Sequence, residues 1–149
     1  MNCVKRVRIR QARVPAGPKR VETTGSHMYI GIDVSKRSLD ICGGIFESVE
    51  RYRNDSSGVN KLIKRLGDTK PSLVVMEATG GYERLVAKAL QTEGITLAVM
   101  NPWQTHNFAK SLGKRAKTDA IDAKMLAQYG ERMKPTATVV LSDREHELK

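Results

Sequence analysis

The stretch Tyr29-Ile30-Gly31-Ile32-Asp33-Val34 decides the fold, because it is a short β-branched run that carries an acid near its end. Such residues favour extended backbone, so the run predicts a central strand that ends near Asp33. Residues 35–38 predict a turn, and two further strands are expected at 39–46 and about 48–53, with a bulge or bend at Gly43-Gly44. The three strands predict an antiparallel meander.

The next part of the chain alternates helical and strand patterns. Ser56 is expected to cap a helix that Gly67 ends, and the apolar run 73–76 predicts a parallel strand covered on both faces, with Glu77 at its carboxyl end. A second helix is expected to turn Tyr82 and Leu85 inward, followed by a strand over 95–100. A helix from 101 to about 112 is expected to pack Trp103 and Phe108, and another reaches about 133, where Pro135 follows.

The order βββ-α-β-α-β-α with short connections predicts one α/β domain with a mixed five-stranded sheet flanked by helices. This is the order of the ribonuclease H-like fold. The 149 residues suffice for one domain with a core.

The charge and the cysteine content exclude some classes of protein. The net charge is +10, but residues 1–27 contribute +6 from seven basic residues and one acid, so the remainder is only mildly basic. Cys3 and Cys42 have no C-x-x-C spacing, and Cys42 is expected to be a small buried residue. These features exclude a disulfide scaffold and fit a reducing cytoplasm. No apolar run approaches the length of a membrane span.

Four carboxylates are the candidate site. Asp33 and Glu77 end apolar strands, where an uncompensated carboxylate costs free energy, so function is favoured for both. Asp119 and Asp122 stand three residues apart at the start of a helical pattern and are expected to share a face, although acids there also suit the helix dipole. Carboxylates that converge repel one another unless cations lie between them, and hard oxygen ligands favour Mg²⁺ or Mn²⁺. The chemistry predicted is phosphodiester cleavage or strand transfer.

A basic loop precedes the last pair of acids. It is either a solvated charge run or a set of phosphate contacts, and its position beside an acidic site favours nucleic-acid binding. Its cationic residues are Lys110, Lys114, Arg115 and Lys117. Other acids have simpler explanations: turn or surface roles for Asp40 and Asp55, and a solvent-facing role or a pairing with Arg84 or Lys88 for Glu83.

Three segments resemble one family. They are Gly31-Ile-Asp-Val-Ser-Lys36, Met76-Glu-Ala-Thr-Gly-Gly-Tyr-Glu83 and Lys117-Thr-Asp-Ala-Ile-Asp-Ala-Lys-Met-Leu-Ala127. They look like the N-terminal motifs of the DEDD insertion-sequence transposases, which are related to the Piv/MooV DNA invertases and include bridge-RNA-guided recombinases.

The resemblance implies a RuvC-like domain whose acidic tetrad, Asp33, Glu77, Asp119 and Asp122, binds Mg²⁺ (or Mn²⁺) for DNA cleavage and transfer. It also implies DNA and possibly guide RNA as partners, homo-oligomers of the full-length protein, and a cytoplasmic, nucleoid-associated location. Family members carry a second, C-terminal transposase domain with a serine nucleophile.

The expected organisation has three parts. Residues 1–27 are expected to be a basic, disordered tail, in which Gly25-Ser26-His27-Met28 is typical of a cleaved purification tag. Residues 28–134 are expected to form the RuvC-like domain, and residues 135–149 to begin a linker to a C-terminal domain. The alternatives are a nucleic-acid-binding and assembly module whose chemistry depends on another domain, and an actin-like ATPase. The ATPase is disfavoured because its second Gly-rich phosphate loop has no counterpart in the sequence.

Overall fold

The computed structural model describes residues 28–113 and 122–140, which form an α/β fold. The strands are β1 (Tyr29–Val34), β2 (Ser38–Gly43), β3 (Phe46–Arg53), β4 (Leu73–Glu77) and β5 (Leu97–Met100). The helices are α1 (Ser56–Leu66), α2 (Arg84–Thr92), α3 (Pro102–Ser111) and α4 (Ala123–Met133). The predicted element order is confirmed.

The five strands form one mixed sheet in the order β3-β2-β1-β4-β5. The hairpin strands β1, β2 and β3 pair antiparallel, whereas β1, β4 and β5 are parallel to one another. This is the mixed, five-stranded, ribonuclease H-like sheet that the sequence predicts. Because β1 is central, its carboxyl end lies between the hairpin and the parallel half of the sheet.

Apolar side chains cover both faces of the sheet. On one face, Ile30 and Ile32 of β1 pack in the cluster that contains the buried residues of α1 and α2. On the other face, Val75 of β4 packs with Phe108 of α3 and with Leu126 and Tyr129 of α4. Side chains alternate along a strand, so Asp33 belongs with Gly31 on the α3–α4 face.

Two glycines let α4 lie directly on the sheet. A Cβ on Gly31 would stand 2.0 Å from the Ala123 carbonyl oxygen and 2.6 Å from the Ala127 nitrogen, both of them backbone atoms of α4. A Cβ on Gly130 would stand 2.8 Å from a methyl carbon of Val75. The absence of these side chains therefore sets the close approach that carries the start of α4 over β1.

Three predicted boundaries were wrong. Phe46 begins β3 instead of ending β2, because Gly43 and Gly44, at φ 100° and 58°, reverse the chain into a tight hairpin. Asp55, not Ser56, caps α1: it has extended backbone, and its carboxylate accepts a hydrogen bond from Gly58 N at 2.8 Å. The strand expected from residue 95 begins at Leu97.

Several burial predictions were also wrong. Trp103 is 72% exposed, and Tyr82 and Leu85 are 46% and 41% exposed. Trp103 lies in the first turn of α3, where only one side of the helix meets the sheet, and Tyr82 precedes α2. The predictions for Phe108 and Cys42 are confirmed, because both are buried.

The segment after α4 stays attached to the sheet. Thr138 N donates to the Leu97 carbonyl at 2.8 Å, and Thr138 Oγ1 accepts from Val99 N at 3.0 Å. Gln91 of α2 forms two hydrogen bonds with the backbone of Val140. Within the described parts of the chain, no helix has the length and apolar character needed to cross a membrane.

Candidate active site

The structure places Asp33 and Glu77 on neighbouring strands at the same end of the sheet. β1 and β4 are parallel, with Gly31 opposite Val75 and Ile32 opposite Met76. One further step along this register reaches Asp33 and Glu77. Residues at matched positions of parallel strands share a face, so both acids lie on the α3–α4 face. This is the carboxyl edge at which open α/β sheets form their sites.

Asp122 reaches this edge from α4. Its backbone is extended, at φ −97° and ψ 176°, and its Oδ1 accepts a hydrogen bond from Met125 N at 2.8 Å. Asp122 is therefore the N-cap of α4 and not a residue of its first turn, so the prediction that it lies on a helix face is wrong. Asp is among the preferred residues at both positions, which explains the error. Asp119 lies outside the described residues.

Asp40 is a carboxylate of this region that the sequence analysis set aside. It lies directly across from Asp33 in the β1–β2 pairing. Arg51 of β3 binds Asp40 through two hydrogen bonds, Nε to Oδ1 at 2.7 Å and a terminal nitrogen to Oδ2 at 3.0 Å. Side chains alternate between the two faces along β2, so Asp40 could have been assigned to the face of Asp33 only if the register of the hairpin had been known.

Asp33 is the electrostatic centre of the cluster. Partial burial, the largest cause, and neighbouring negative charges together raise its pKa from the ordinary 3.8 to about 6. The charges that contribute to this rise are those of Asp40, Glu77 and Asp122, in that order, and Arg51 opposes them. Three acids from three other elements therefore lie close enough to Asp33 to disfavour its ionisation.

Glu77 is held by the first turns of α3. The hydroxyl of the fully buried Thr105 donates a hydrogen bond to Glu77 Oε2. His106 Nε2 lies 3.9 Å from the same oxygen. No motif in the sequence marked Thr105 or His106, because their proximity to Glu77 depends on how α3 packs.

Glu83 fixes the loop that follows Glu77, a role that the sequence analysis did not assign to it. Its Oε1 accepts hydrogen bonds from Thr79 N, Thr79 Oγ1 and Gly81 N at 2.9–3.1 Å. Partial burial opposes ionisation of Glu83, but these hydrogen bonds outweigh it and keep its pKa below the ordinary value. The carboxylate therefore closes the loop as a local cap.

The donor chemistry of the cluster suits a divalent cation. Carboxylate oxygens are the ligands that Mg²⁺ and Mn²⁺ prefer, and a cation would relieve the part of the raised pKa of Asp33 that comes, after burial, from repulsion by neighbouring acids. Among residues 28–113 and 122–140, no three acidic, histidine or cysteine side chains are already close enough to hold one ion. Asp119, the fourth predicted ligand, falls between those ranges.

Two groups of cations are candidates for binding nucleic acid. Lys110 lies exposed in the last turn of α3, whereas Lys114, Arg115 and Lys117 lie outside the described residues. A second group, which the sequence analysis did not single out, consists of Lys36 and Arg37 in the β1–β2 turn and Arg53 at the end of β3. They line a cavity of about 410 Å³ together with Asn54 and Asp55.

Residues 30–149 match the sequence model of a transposase family, the DEDD transposases of the IS110 type. The chain belongs to this family. It is 33% identical over 129 residues to the pilin gene-inverting protein of Moraxella lacunata, an alignment that covers 83% of this chain and 40% of the relative. The corresponding protein of Moraxella bovis matches with the same identity and coverage. The chain thus spans two-fifths of the length of these curated relatives.

The predicted family is confirmed, and with it the ribonuclease H-like class of the sheet.

Proposed function

We propose that this chain is the catalytic N-terminal domain of a DNA transposase or recombinase that cleaves and transfers DNA strands at its acidic cluster. Asp33, Glu77, Asp119 and Asp122 are the proposed metal ligands and catalytic residues. The observation that carries the proposal is the position of Asp33, a half-buried carboxyl whose pKa is raised by burial and by the charges of Asp40, Glu77 and Asp122. A fold that stabilised only itself would gain nothing from such repulsion.

The proposed cofactor is Mg²⁺, or Mn²⁺ in its place. A divalent ion bound by these carboxylates would supply neutralisation of the charge that develops on a phosphodiester during cleavage. Hydrogen bonds fix two of the proposed ligands: Thr105 orients Glu77, and the capping hydrogen bond to Met125 N fixes one oxygen of Asp122. Arg51 occupies both oxygens of Asp40, which therefore shapes the field of the site without being a proposed ligand.

Metal binding can be tested through stability, because an ion that binds only the folded state stabilises it by mass action. At a Mn²⁺ concentration tenfold above the dissociation constant, the expected gain is about 1.4 kcal/mol in the free energy of unfolding. The gain should disappear in the double variant Asp33→Asn/Glu77→Gln and persist in Asp68→Asn, which removes a charge from an exposed loop. An equal gain in all three proteins would place the metal elsewhere.

Catalysis is tested separately, by incubating the chain with supercoiled plasmid DNA and Mg²⁺ or Mn²⁺. The proposal expects metal-dependent nicking that Asp33→Asn abolishes. Nicking that survives this substitution would assign the cleavage to other residues.

A second candidate function is a nucleic-acid-binding and assembly module, which grips DNA or guide RNA while another domain supplies part of the chemistry. Two observations favour it. The chain covers 40% of the length of the relatives, and the described residues contain no preformed group of three metal ligands. DNA binding without nicking, in a protein whose stability Mn²⁺ does not change, would favour this module. We also propose that the full-length protein forms homo-oligomers.

A further inference from the structure

We infer that the cavity at the β1–β2 turn is a binding site for backbone phosphates of the DNA strand that crosses the acidic cluster. Its cations are Lys36, Arg37 and Arg53. The inference rests on the proposed function, since it assigns a contact to the same substrate. It adds a site formed by residues that are distant in sequence from the basic loop at 110–117.

The topology brings these three cations to the edge that carries Asp33. β2 lies between β1 and β3 and runs antiparallel to both, so β1 and β3 run in the same direction and end at the same edge of the sheet, on either side of the start of β2. The turn after β1 presents Lys36 and Arg37, and β3 ends at Arg53, which pairs with Ser38. A polymer lying over Asp33 therefore needs to extend only past the end of β1 to reach the cavity.

Hydrogen bonds between Ser35 and Ser38 close the turn that presents Lys36 and Arg37. Ser35 N donates to the Ser38 carbonyl at 2.9 Å, and Ser38 N donates to Ser35 Oγ at 3.2 Å. The two cationic residues lie between these anchors and are exposed. A fixed turn lowers the entropy that long cationic side chains lose on binding, because only their own rotamers remain to be ordered.

Asn54 connects this turn to the loop that follows Glu77. Its side-chain nitrogen donates to the Ser35 carbonyl at 2.9 Å and to the Tyr82 carbonyl at 3.0 Å. Its backbone N–H donates to the Arg37 carbonyl at 2.9 Å. Three hydrogen bonds from one residue thus set the distance between the cationic turn and the Glu77 side of the site, which makes Asn54 a positioning residue.

The one acid in the cavity is already engaged. Asp55 accepts from Gly58 N through Oδ1 and from Arg53 Nε through Oδ2, at 2.8 and 2.9 Å. The Arg53 bond uses one of the five N–H donors of a guanidinium, and the side chain is 82% exposed. The remaining donors have the planar arrangement that matches phosphate oxygens. Three cations against one paired carboxylate give the cavity a net positive charge.

The charge of the neighbouring cluster explains why such a site is needed. Asp33, Asp40, Glu77 and Asp122 repel a polyanion, and cations beside them offset this repulsion along the path of the strand. Phosphate contacts fix the register of a nucleic acid without reading its sequence. The inferred site therefore holds the strand in place over the carboxylates and leaves the choice of sequence to other contacts.

The test compares Lys36→Ala/Arg37→Ala with Lys64→Ala/Lys70→Ala in the full chain. Lys64 is in the last turn of α1 and Lys70 precedes β4, so the control pair removes the same charge at the opposite end of the sheet. Affinity for random-sequence DNA is measured by fluorescence anisotropy over a salt series. We expect a loss of roughly tenfold and a log–log salt slope shallower by about 1.8 for the first pair, two phosphates at about 0.9 each, and a much smaller change for the control.

The outcomes separate the site from the proposed function. A parent chain that binds no DNA at any salt concentration refutes both. DNA binding that the two double variants weaken equally refutes the phosphate site alone. A loss confined to RNA, or a loss of inorganic-phosphate binding with DNA affinity unchanged, also overturns it. Unchanged unfolding midpoints show that neither pair acts through the fold, and Asn54→Ala should lower DNA affinity while every cation remains in place.

Discussion

Replacing Asp33 by Asn should stabilise the protein in the absence of divalent ions. The gain should be largest above the raised pKa of Asp33, which is about 6. Asn has the size of Asp but no charge, so it removes both the cost of burying a charge and the repulsion from Asp40, Glu77 and Asp122. A carboxyl whose pKa is raised in the folded state binds its proton more tightly there than in the unfolded chain. The folded state therefore loses stability as the pH rises through the interval between the two pKa values.

The magnitude follows from the two pKa values of Asp33, 3.8 in the unfolded chain and about 6 in the folded one. At 1.36 kcal/mol per pKa unit, the full difference corresponds to about 3 kcal/mol. Asp33 is only half-buried, so solvent screens part of this energy, and about 1.5 kcal/mol is the expected gain near pH 8. Near pH 4, below the folded pKa, the gain should shrink to about 0.3 kcal/mol.

The assay is urea unfolding in EDTA at both pH values, for the parent chain, Asp33→Asn and the control Asp68→Asn. Asp68 lies exposed in the loop after α1, so its substitution should change the free energy of unfolding by less than about 0.5 kcal/mol. A gain of the same size at both pH values would show that packing, not charge, is responsible. An Asp33→Asn protein no more stable than the parent at pH 8 would refute the electrostatic account of the cluster.

Two further predictions concern the supports of the site, and a third concerns the basic loop. Gly31→Ala should destabilise the fold by roughly 3 kcal/mol or prevent folding, because its Cβ meets the backbone of α4. The control Gly94→Ala, at φ 77° in open space, should cost about 1 kcal/mol, and thermal unfolding compares the two variants. Asn54→Ala should cost about 1–2 kcal/mol for its two side-chain hydrogen bonds, and a chain of unchanged stability in urea would contradict this. Removing the cations of the basic loop should lower the salt slope of DNA binding by about 0.9 for each phosphate lost, and an unchanged slope would make the loop a solvated charge run. The three substitutions are Lys114→Ala, Arg115→Ala and Lys117→Ala.

The sheet could be predicted because its signals are local. β1 and β4 are β-branched or apolar runs of strand length, and the apolar residues of α1 recur at helical spacing. Once the parallel order of β1 and β4 is granted, Asp33 and Glu77 must reach the same edge. The most informative part of the site therefore followed from strand direction alone.

The parts that could not be predicted depend on register and on packed faces. Asp40 comes beside Asp33 only because the glycine turn sets one particular register in the hairpin. Thr105 and His106 reach Glu77 through the rotation of α3 on the sheet. Lys36 and Arg53 are far apart in sequence, and antiparallel pairing places them in one cavity. None of these relations leaves a periodic pattern in the chain.

The close seating of α4 on Gly31 has a consequence for how ligand binding can be observed. Leu126 and Tyr129 of α4 belong to the core, while Asp122 at its start belongs to the acidic edge, so one helix contributes to both. A ligand that prefers the seated helix must lower the fraction of molecules in which α4 has lifted away. Amide protons of α4 that exchange with solvent only in the lifted state would then exchange more slowly. Their exchange rates would report occupancy of the acidic edge from the opposite end of the helix, without any probe at the carboxylates themselves.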